Sequence, residues 1–114
     1  MNDCLFCKIV RKEIPSEMVA ETERALAFRD INPGAPTHVL VIPKEHIPSA
    51  HELKAAAHGE LLGELFELMA KIASDSGLSR GHRLVTNIGP EAGQSVDHLH
   101  FHLLGGRPMA WPPG

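Results

Sequence analysis

The sequence predicts an α+β domain built on an antiparallel sheet, on three observations. Several short segments rich in β-branched or alternating residues lie near one another with short returns between them. A single long amphipathic helical pattern interrupts that series once, which favours helices on one side of an antiparallel sheet. The last segment, His98-Leu99-His100-Phe101-His102-Leu103-Leu104, alternates polar and apolar residues as a half-buried strand does.

Leu5 to Arg11 reads as a short helix that ends before Pro15. Met18 to Glu21 and Ala25 to Arg29 are strands separated by the polar turn Thr22-Glu23-Arg24. Pro33, Gly34 and Pro36 make the following stretch a loop. His38 to Ile42 is the clearest strand, β-branched-rich and closed by Pro43. Ser49, followed three residues later by Glu52, fits a capping box and marks the approach to the long helix. Leu62, Leu65, Phe66, Met69, Ile72 and Ala73 recur at three- and four-residue steps and give that helix one apolar face. Gly77 is a natural C-cap. Arg83 to Asn87 is a strand, Ile88 to Ser95 a Gly-rich connection, and Val96 to Leu104 the last strand. The expected architecture is therefore a five-stranded antiparallel sheet with one long helix and a short N-terminal helix. The Pro- and Gly-rich tail from Gly105 to Gly114 is irregular, and its Trp111 needs a packing surface that a partner chain can supply.

At 114 residues and 43% hydrophobic, the chain suits a single domain spanning residues 1–114 with one core. No run is long enough to span a bilayer, and Met1-Asn2-Asp3-Cys4-Leu5-Phe6-Cys7-Lys8 lacks the basic-then-apolar order of a signal peptide. We expect a cytoplasmic protein without a membrane partner. A net charge of −3 with scattered Lys and Arg argues against duplex nucleic acid, though not against a nucleotide, which needs only a few directed contacts. A disulfide between Cys4 and Cys7 would be strained across so short a loop. The βαβ context of a redox C-x-x-C is missing, which leaves metal ligation as a use for the pair.

The histidine strand carries the chemistry. On an alternating strand His98, His100 and His102 share one face, while Leu99, Phe101 and Leu103 share the other. Surface strands usually carry Lys, Glu or Thr, so a merely solvated face explains three histidines poorly. Two readings remain open: a catalytic metal held by the three together, and covalent catalysis by one imidazole that its neighbours orient. The loop Asn87-Ile88-Gly89-Pro90-Glu91-Ala92-Gly93-Gln94-Ser95 brings glycines, an amide and a hydroxyl next to them. Beside such a strand it reads as a phosphate cradle: Gly93 permits close backbone approach, and Ser95 and Asn87 can donate to phosphoryl oxygens.

His98-Leu99-His100-Phe101-His102-Leu103-Leu104 matches His-φ-His-φ-His-φ-φ, φ being apolar, and so resembles the signature of the histidine triad (HIT) superfamily. Arg11-Lys12-Glu13-Ile14-Pro15, Asp30 to His38, Val41-Ile42-Pro43-Lys44, Gly93-Gln94-Ser95-Val96 and Trp111-Pro112-Pro113-Gly114 resemble its Hint branch, the histidine triad nucleotide-binding proteins, which are purine nucleoside phosphoramidases. The resemblance covers nearly the whole chain. It implies that His100 is the nucleophile toward the α-phosphorus of a nucleoside phosphoramidate, forming a nucleotidyl-histidine that water then hydrolyses. It also implies that His102 and Ser95 donate to the phosphoryl oxygens, that His98 positions His100 through its backbone carbonyl, and that His38 is a fourth active-site histidine. Superfamily transferases carry Gln at the third triad position, so His102 favours hydrolysis.

By the same resemblance Asp30 binds the ribose hydroxyls, and Leu5, Phe6, Ile9, Phe28 and Ile31 form the apolar base slot. Asn87, Gly93, Gln94 and Ser95 complete the nucleotide contacts. The resemblance implies that no cofactor is required for catalysis. Some bacterial members bind a structural zinc through a Cys pair and two histidines, for which Cys4, Cys7, His46 and His98 are the candidates here. Family members are homodimers that pair through the long helix and a central strand, with the tail reaching toward the partner's active site. The rival enzymatic reading is a dinucleoside polyphosphate hydrolase, and the rival outside catalysis is a nucleotide-binding adaptor with incidental turnover. His51, His58 and His82 fall outside these motifs and read as surface or helix-cap residues. Asp97 departs from the apolar or aromatic residue expected there, and on an alternating strand it would share the face of Leu99.

Overall fold

The computed structural model describes residues 3–114, so Met1 and Asn2 of the N-terminal reading lie outside the described residues. Strands β1 (Met18–Glu21), β2 (Ala25–Arg29), β3 (Thr37–Pro43), β4 (His82–Val85) and β5 (Phe101–Gly105) form one antiparallel sheet in the order β1-β2-β3-β5-β4. Helices α1 (Leu5–Val10) and α2 (Ala55–Asp75) pack against it. Among the described residues no helix is long and apolar enough to cross a membrane.

Strand alternation decides which face each residue serves. Ala25, Ala27, Val39, Val41, Phe101 and Leu103 join the cluster built with α2. Their neighbours Leu26, Phe28, Leu40 and Ile42 join a second cluster with Phe6 and Ile9 of α1. The sheet is thus covered on both faces. The β3–β5 register sets Leu40 opposite His102 and His38 opposite Leu104, so both histidines fall on the face of α1.

Helix α2 buries Leu61, Leu65, Leu68, Met69, Ile72 and Ala73. This stripe is rotated from the expected one: Leu62 is only partly buried, and Phe66 on its shoulder stays 48% exposed with its ring edge-on to Phe101. Helical wheels rank Leu61, Leu62, Leu65 and Phe66 alike, and only the sheet beneath decides which are covered. The C-terminus is a Schellman turn, with the Leu78 amide bonded to the Ala73 carbonyl and that of Gly77 to Ser74. Gly77 takes φ +73°, which glycine adopts without strain.

The capping-box expectation needs correcting. The Ser49 hydroxyl accepts from the His51 amide and caps the separate 3-10 turn Ala50–Glu52. Helix α2 begins after Lys54, which provides no side-chain cap. His58 Nδ1 instead accepts from the Lys54 amide at 2.9 Å, fulfilling the helix-cap reading of that histidine.

Candidate active site

The last strand starts later than expected. Pairing between β3 and β5 stops at Val41–Phe101, and between β4 and β5 at Val85–His102, so residues 96–100 precede the sheet. Pro43 has no N–H for further rungs, and other bonds replace them. The Leu99 amide donates to the Ile47 carbonyl (2.6 Å), His98 Nε2 lies 2.9 Å from the Pro43 carbonyl, and Thr86 Oγ1 donates to the His100 carbonyl (2.8 Å). The alternation survives without the ladder. Leu99, Phe101 and Leu103 enter the α2 core, while His98 and His100 are buried outside that core.

Backbone partners set the position of each imidazole proton. The Gly34 amide donates to His38 Nδ1 (2.9 Å), so the His38 proton sits on Nε2. That Nε2–H donates to His102 Nδ1 (2.9 Å), with Asp30 Oδ2 a further 3.4 Å neighbour, and the His102 proton is left on Nε2. The His38–Asp30 contact is therefore a polar contact of a neutral ring and not a charged pair. His100 Nδ1–H donates to the His98 carbonyl (2.7 Å), which leaves a lone pair on His100 Nε2. Three of these rings therefore carry hydrogen on Nε2, counting His98 with its bond to Pro43, and His100 alone carries it on Nδ1. Burial holds His102 below the ordinary histidine pKa, and the His100 and His38 rings push the same way against Asp30. The result is a neutral donor, His102, beside an imidazole with a free lone pair, their ring centroids 5.2 Å apart.

The tautomers also separate two groups of candidate metal ligands. In one, the donor atoms of Cys4, Cys7, His46 and His98 all lie within 4.8 Å of one another. Cys4 Sγ and Cys7 Sγ are 3.3 and 3.6 Å from His98 Nδ1, and Cys7 Sγ is 3.3 Å from His46 Nδ1. A tetrahedral zinc with ordinary Zn–S and Zn–N lengths has S···N edges of about 3.6 Å, so these side chains fit one. The Pro43 carbonyl holds the His98 proton on Nε2 and turns the Nδ1 lone pair toward the thiols, the usual outer-shell arrangement of a metal-binding histidine. Burial raises the Cys7 thiol and Cys4 adds to this, so metal-free Cys7 keeps its proton and binding would displace it. The other group is Asp30, His38 and His102. There the Gly34 amide forces hydrogen onto His38 Nε2, the nitrogen a metal would need, and that N–H bonds to His102 Nδ1 instead. No metal-capable group among the described residues gathers His98, His100 and His102, so the reading of the three as one metal site finds no support.

Phe6 stands between the two cysteines on α1 and joins the regions. Its ring is edge-on to His98, His100 and Phe28, with centroids at 5.9, 5.1 and 5.5 Å. Of the residues expected to form a base slot, Phe6, Ile9 and Phe28 are buried together, whereas Leu5 is 44% exposed and Ile31 is 91% exposed. Asp30 Oδ1 accepts from the Asn32 amide (2.8 Å), combining the turn role with its contact to His38.

In the loop, Gly89 and Gly93 take φ +86° and +88°, the positive values that favour glycine. Gln94 braces this loop: its Oε1 accepts from the Gly89 amide, and its Nε2 donates to the carbonyls of Pro48 and Val96. Asn87 is half-buried. Ser95 and Asp97 are exposed and line a cleft with Asp3, Cys4 and His46. Residues 96–98 form a bend, so Asp97 does not follow Leu99 into the core as strand parity implied. Sequence reasoning missed Gly34, Ile47 and Thr86 as supports of the histidines. Their backbone and hydroxyl groups leave no periodic trace.

The comparisons agree with this geometry. The HIT domain model matches residues 11–109. An uncharacterised HIT-like protein of Synechococcus elongatus is 54% identical over 114 residues, covering 99% of this chain and 98% of its own length. A 14 kDa zinc-binding protein of Zea mays is 53% identical over 111 residues, covering 96% of this chain and 87% of its own length. Among solved structures, a HIT family hydrolase from Legionella pneumophila superposes with a TM-score of 0.95 at 50% identity, covering 98% of this chain and all of its own. The fold is that of the HIT family hydrolases, and the chain belongs to the HIT family.

Proposed function

We propose that the protein is a nucleoside phosphoramidate hydrolase of the Hint type, acting on a purine nucleoside 5′-phosphoramidate. The observation that carries this reading is the tautomer pattern: His100 alone presents a lone pair on Nε2, next to the Nε2–H of His102. A neutral imidazole with a fixed free nitrogen is a nucleophile ready at neutral pH.

In the first step His100 Nε2 attacks the α-phosphorus. The P–N bond breaks, and the amine leaves with a proton drawn from solvent. His98 and its carbonyl stabilise the charge that the His100 ring gains, because Nδ1–H already points there. His102 Nε2–H and the Ser95 hydroxyl donate to the phosphoryl oxygens, where charge gathers in the transition state. In the second step water attacks phosphorus and gives up a proton to solvent, and the bond to His100 breaks to release nucleoside monophosphate and neutral His100. The bond from His38 Nε2–H to His102 Nδ1 keeps the His102 proton on Nε2 in both steps. Asp30 faces the ribose. Leu5, Phe6, Ile9, Phe28 and Ile31 enclose the base, while Asn87, Gly93 and Gln94 shape the phosphate loop.

Zinc held by Cys4, Cys7, His46 and His98 has a structural role in this reading. It would tie α1 to the segment carrying His98 and take no part in the displacement. The name of the Zea mays relative and the fit of the donor set support that assignment. We also place two copies in a dimer. Two features support this: Phe66 on α2 is exposed, and the outer edge of β4, which pairs only with β5, is open to a second copy that would turn β4 into a central strand. All of this suits a single-domain cytoplasmic enzyme.

The test is the initial rate of P–N cleavage in an adenosine 5′-phosphoramidate bearing a fluorescent amine. Wild type should turn over and His100→Ala should not, and a nucleotidyl adduct should be seen by intact mass in wild type only. An adduct that persists in His100→Ala would end the assignment. No turnover in wild type would transfer the chemistry to polyphosphate substrates or reduce the protein to binding.

A further inference from the structure

The bond from His100 Nδ1 to the His98 carbonyl fixes the ring only relative to its own tripeptide. That tripeptide lies outside the sheet, since ladder pairing begins at Phe101. Its position relative to the rest of the fold therefore depends on individual bonds. On one side the Leu99 amide is held by the Ile47 carbonyl and the His98 ring by Pro43. On the side of β4, Thr86 Oγ1 donates to the His100 carbonyl at 2.8 Å, one residue after the last paired residue of that strand.

We propose that Thr86 is a positioning residue for His100, a role that rests on the reading of His100 as nucleophile. Thr86 continues β4 by side chain where the backbone ladder has stopped. It immobilises the peptide plane after His100, and with it the direction in which Nε2 points. A hydroxyl is needed because its target is a carbonyl acceptor. The stem is half-buried at the end of a paired strand, so the anchor is rigid.

Thr86→Val keeps the shape and removes the donor. Displacing a reacting group by about 1 Å can cost roughly a hundredfold in rate, and here the Ile47 and Pro43 anchors remain. We therefore expect kcat to fall about 10-fold with KM nearly unchanged, because neither the base slot nor Asp30 is touched. Thr86→Ser should restore kcat to within about twofold of wild type. A second readout does not depend on turnover: the His100 Nδ1–H resonance, observed by NMR, should exchange faster with water in Thr86→Val and at the wild-type rate in Thr86→Ser. Should Thr86→Val fail to fold, Thr86→Ala carries the same expectations. Unchanged kcat together with unchanged exchange in the valine variant would overturn the proposal. So would a serine variant as impaired as the valine one, since shape and not the hydroxyl would then be the cause. If wild type shows no phosphoramidase activity, the proposed function fails, and the exchange measurement still decides whether Thr86 orders His100.

Discussion

Replacing His38 with Phe tests the imidazole relay at its origin. The ring is nearly buried, and its two nitrogens serve opposite purposes: Nδ1 accepts from the Gly34 amide and Nε2–H donates to His102 Nδ1. Phenylalanine fills the space and abolishes both. Gly34 is exposed, so water can take the place of the lost acceptor, and urea unfolding should show a stability loss of only about 1 kcal/mol, the net worth of a hydrogen bond. The bond to His102 is worth about 1 kcal/mol net, which corresponds to about a fivefold bias toward the Nε2–H form of His102. That bias should disappear, so the Nε2–H fraction falls from about five-sixths to about one-half, and phosphoramidase kcat should fall roughly twofold while His100 stays intact. Long-range proton–nitrogen NMR on histidine-labelled protein reads the tautomers directly. In wild type near neutral pH, His38, His98 and His102 should carry hydrogen on Nε2 and His100 on Nδ1. In His38→Phe, His102 should become a mixture while His98 and His100 are unchanged. A wild-type His102 protonated on Nδ1, or a His102 indifferent to the loss of His38, would refute the relay.

Three other outcomes follow from the geometry. Removing zinc from the zinc-loaded protein should weaken nucleoside monophosphate binding about 5-fold or more, because the metal would add a tie to the six-residue helix that carries Phe6. Calorimetry with and without the metal measures this, and by linkage the nucleotide should tighten zinc by the same factor. The metal-free protein should lose stability as pH falls below about 6.5, the unfolded histidine value. His98 and His102 have lowered folded pKa values, chiefly through burial, so the unfolded chain binds more protons in that range. Their contribution is present above the unfolded value and lost as pH falls through the folded ones; a melting temperature flat from pH 7.5 to 5 would contradict this. Asp30→Ala should raise KM for a ribonucleoside phosphoramidate about 10-fold, the scale of a lost hydrogen bond to a charged group. The effect should be much smaller for the 2′,3′-dideoxy analogue, and equal effects would remove the ribose role.

The sheet and both helices were legible because they follow local periods. Ala25 to Arg29 and His38 to Ile42 alternate or run apolar between turn residues, and the sheet realises both strands. The errors mark the places where distant residues decide. Ser49 and Glu52 have capping-box spacing, yet they close a 3-10 turn, because Leu53 and Lys54 stay extended before α2 begins. Val96 to His100 looks like strand, but strand needs a partner, and Pro43 withdraws the one on β3. Leu62 and Phe66 have the same helical period as Leu65 and Met69, and only the sheet's position leaves Phe66 exposed. At the candidate site the histidines and cysteines were visible by residue type and spacing. The groups that fix their protons, from Gly34, Pro43 and Thr86, come from separate segments and are mostly backbone atoms.

The early end of the ladder is what lets a single residue serve two sites. Three groups of His98 bear on the two sites: its Nδ1 faces the thiols, its Nε2–H holds the Pro43 carbonyl, and its own carbonyl takes His100 Nδ1–H. A strand running from Val96 would commit backbone carbonyls in this stretch to cross-strand amides. With the rungs missing, the His98 carbonyl is free to turn toward an imidazole two residues on, and the His98 ring is free to reach Cys4 and Cys7. The price is a segment that the sheet no longer holds, and the bonds to Ile47, Pro43 and Thr86 replace it. A substitution that restored pairing, such as one supplying an N–H at position 43, would thus gain regularity at the expense of the carbonyl that sets the His98 tautomer. The irregular backbone before β5 is the feature on which both the candidate metal cluster and the proposed nucleophile depend.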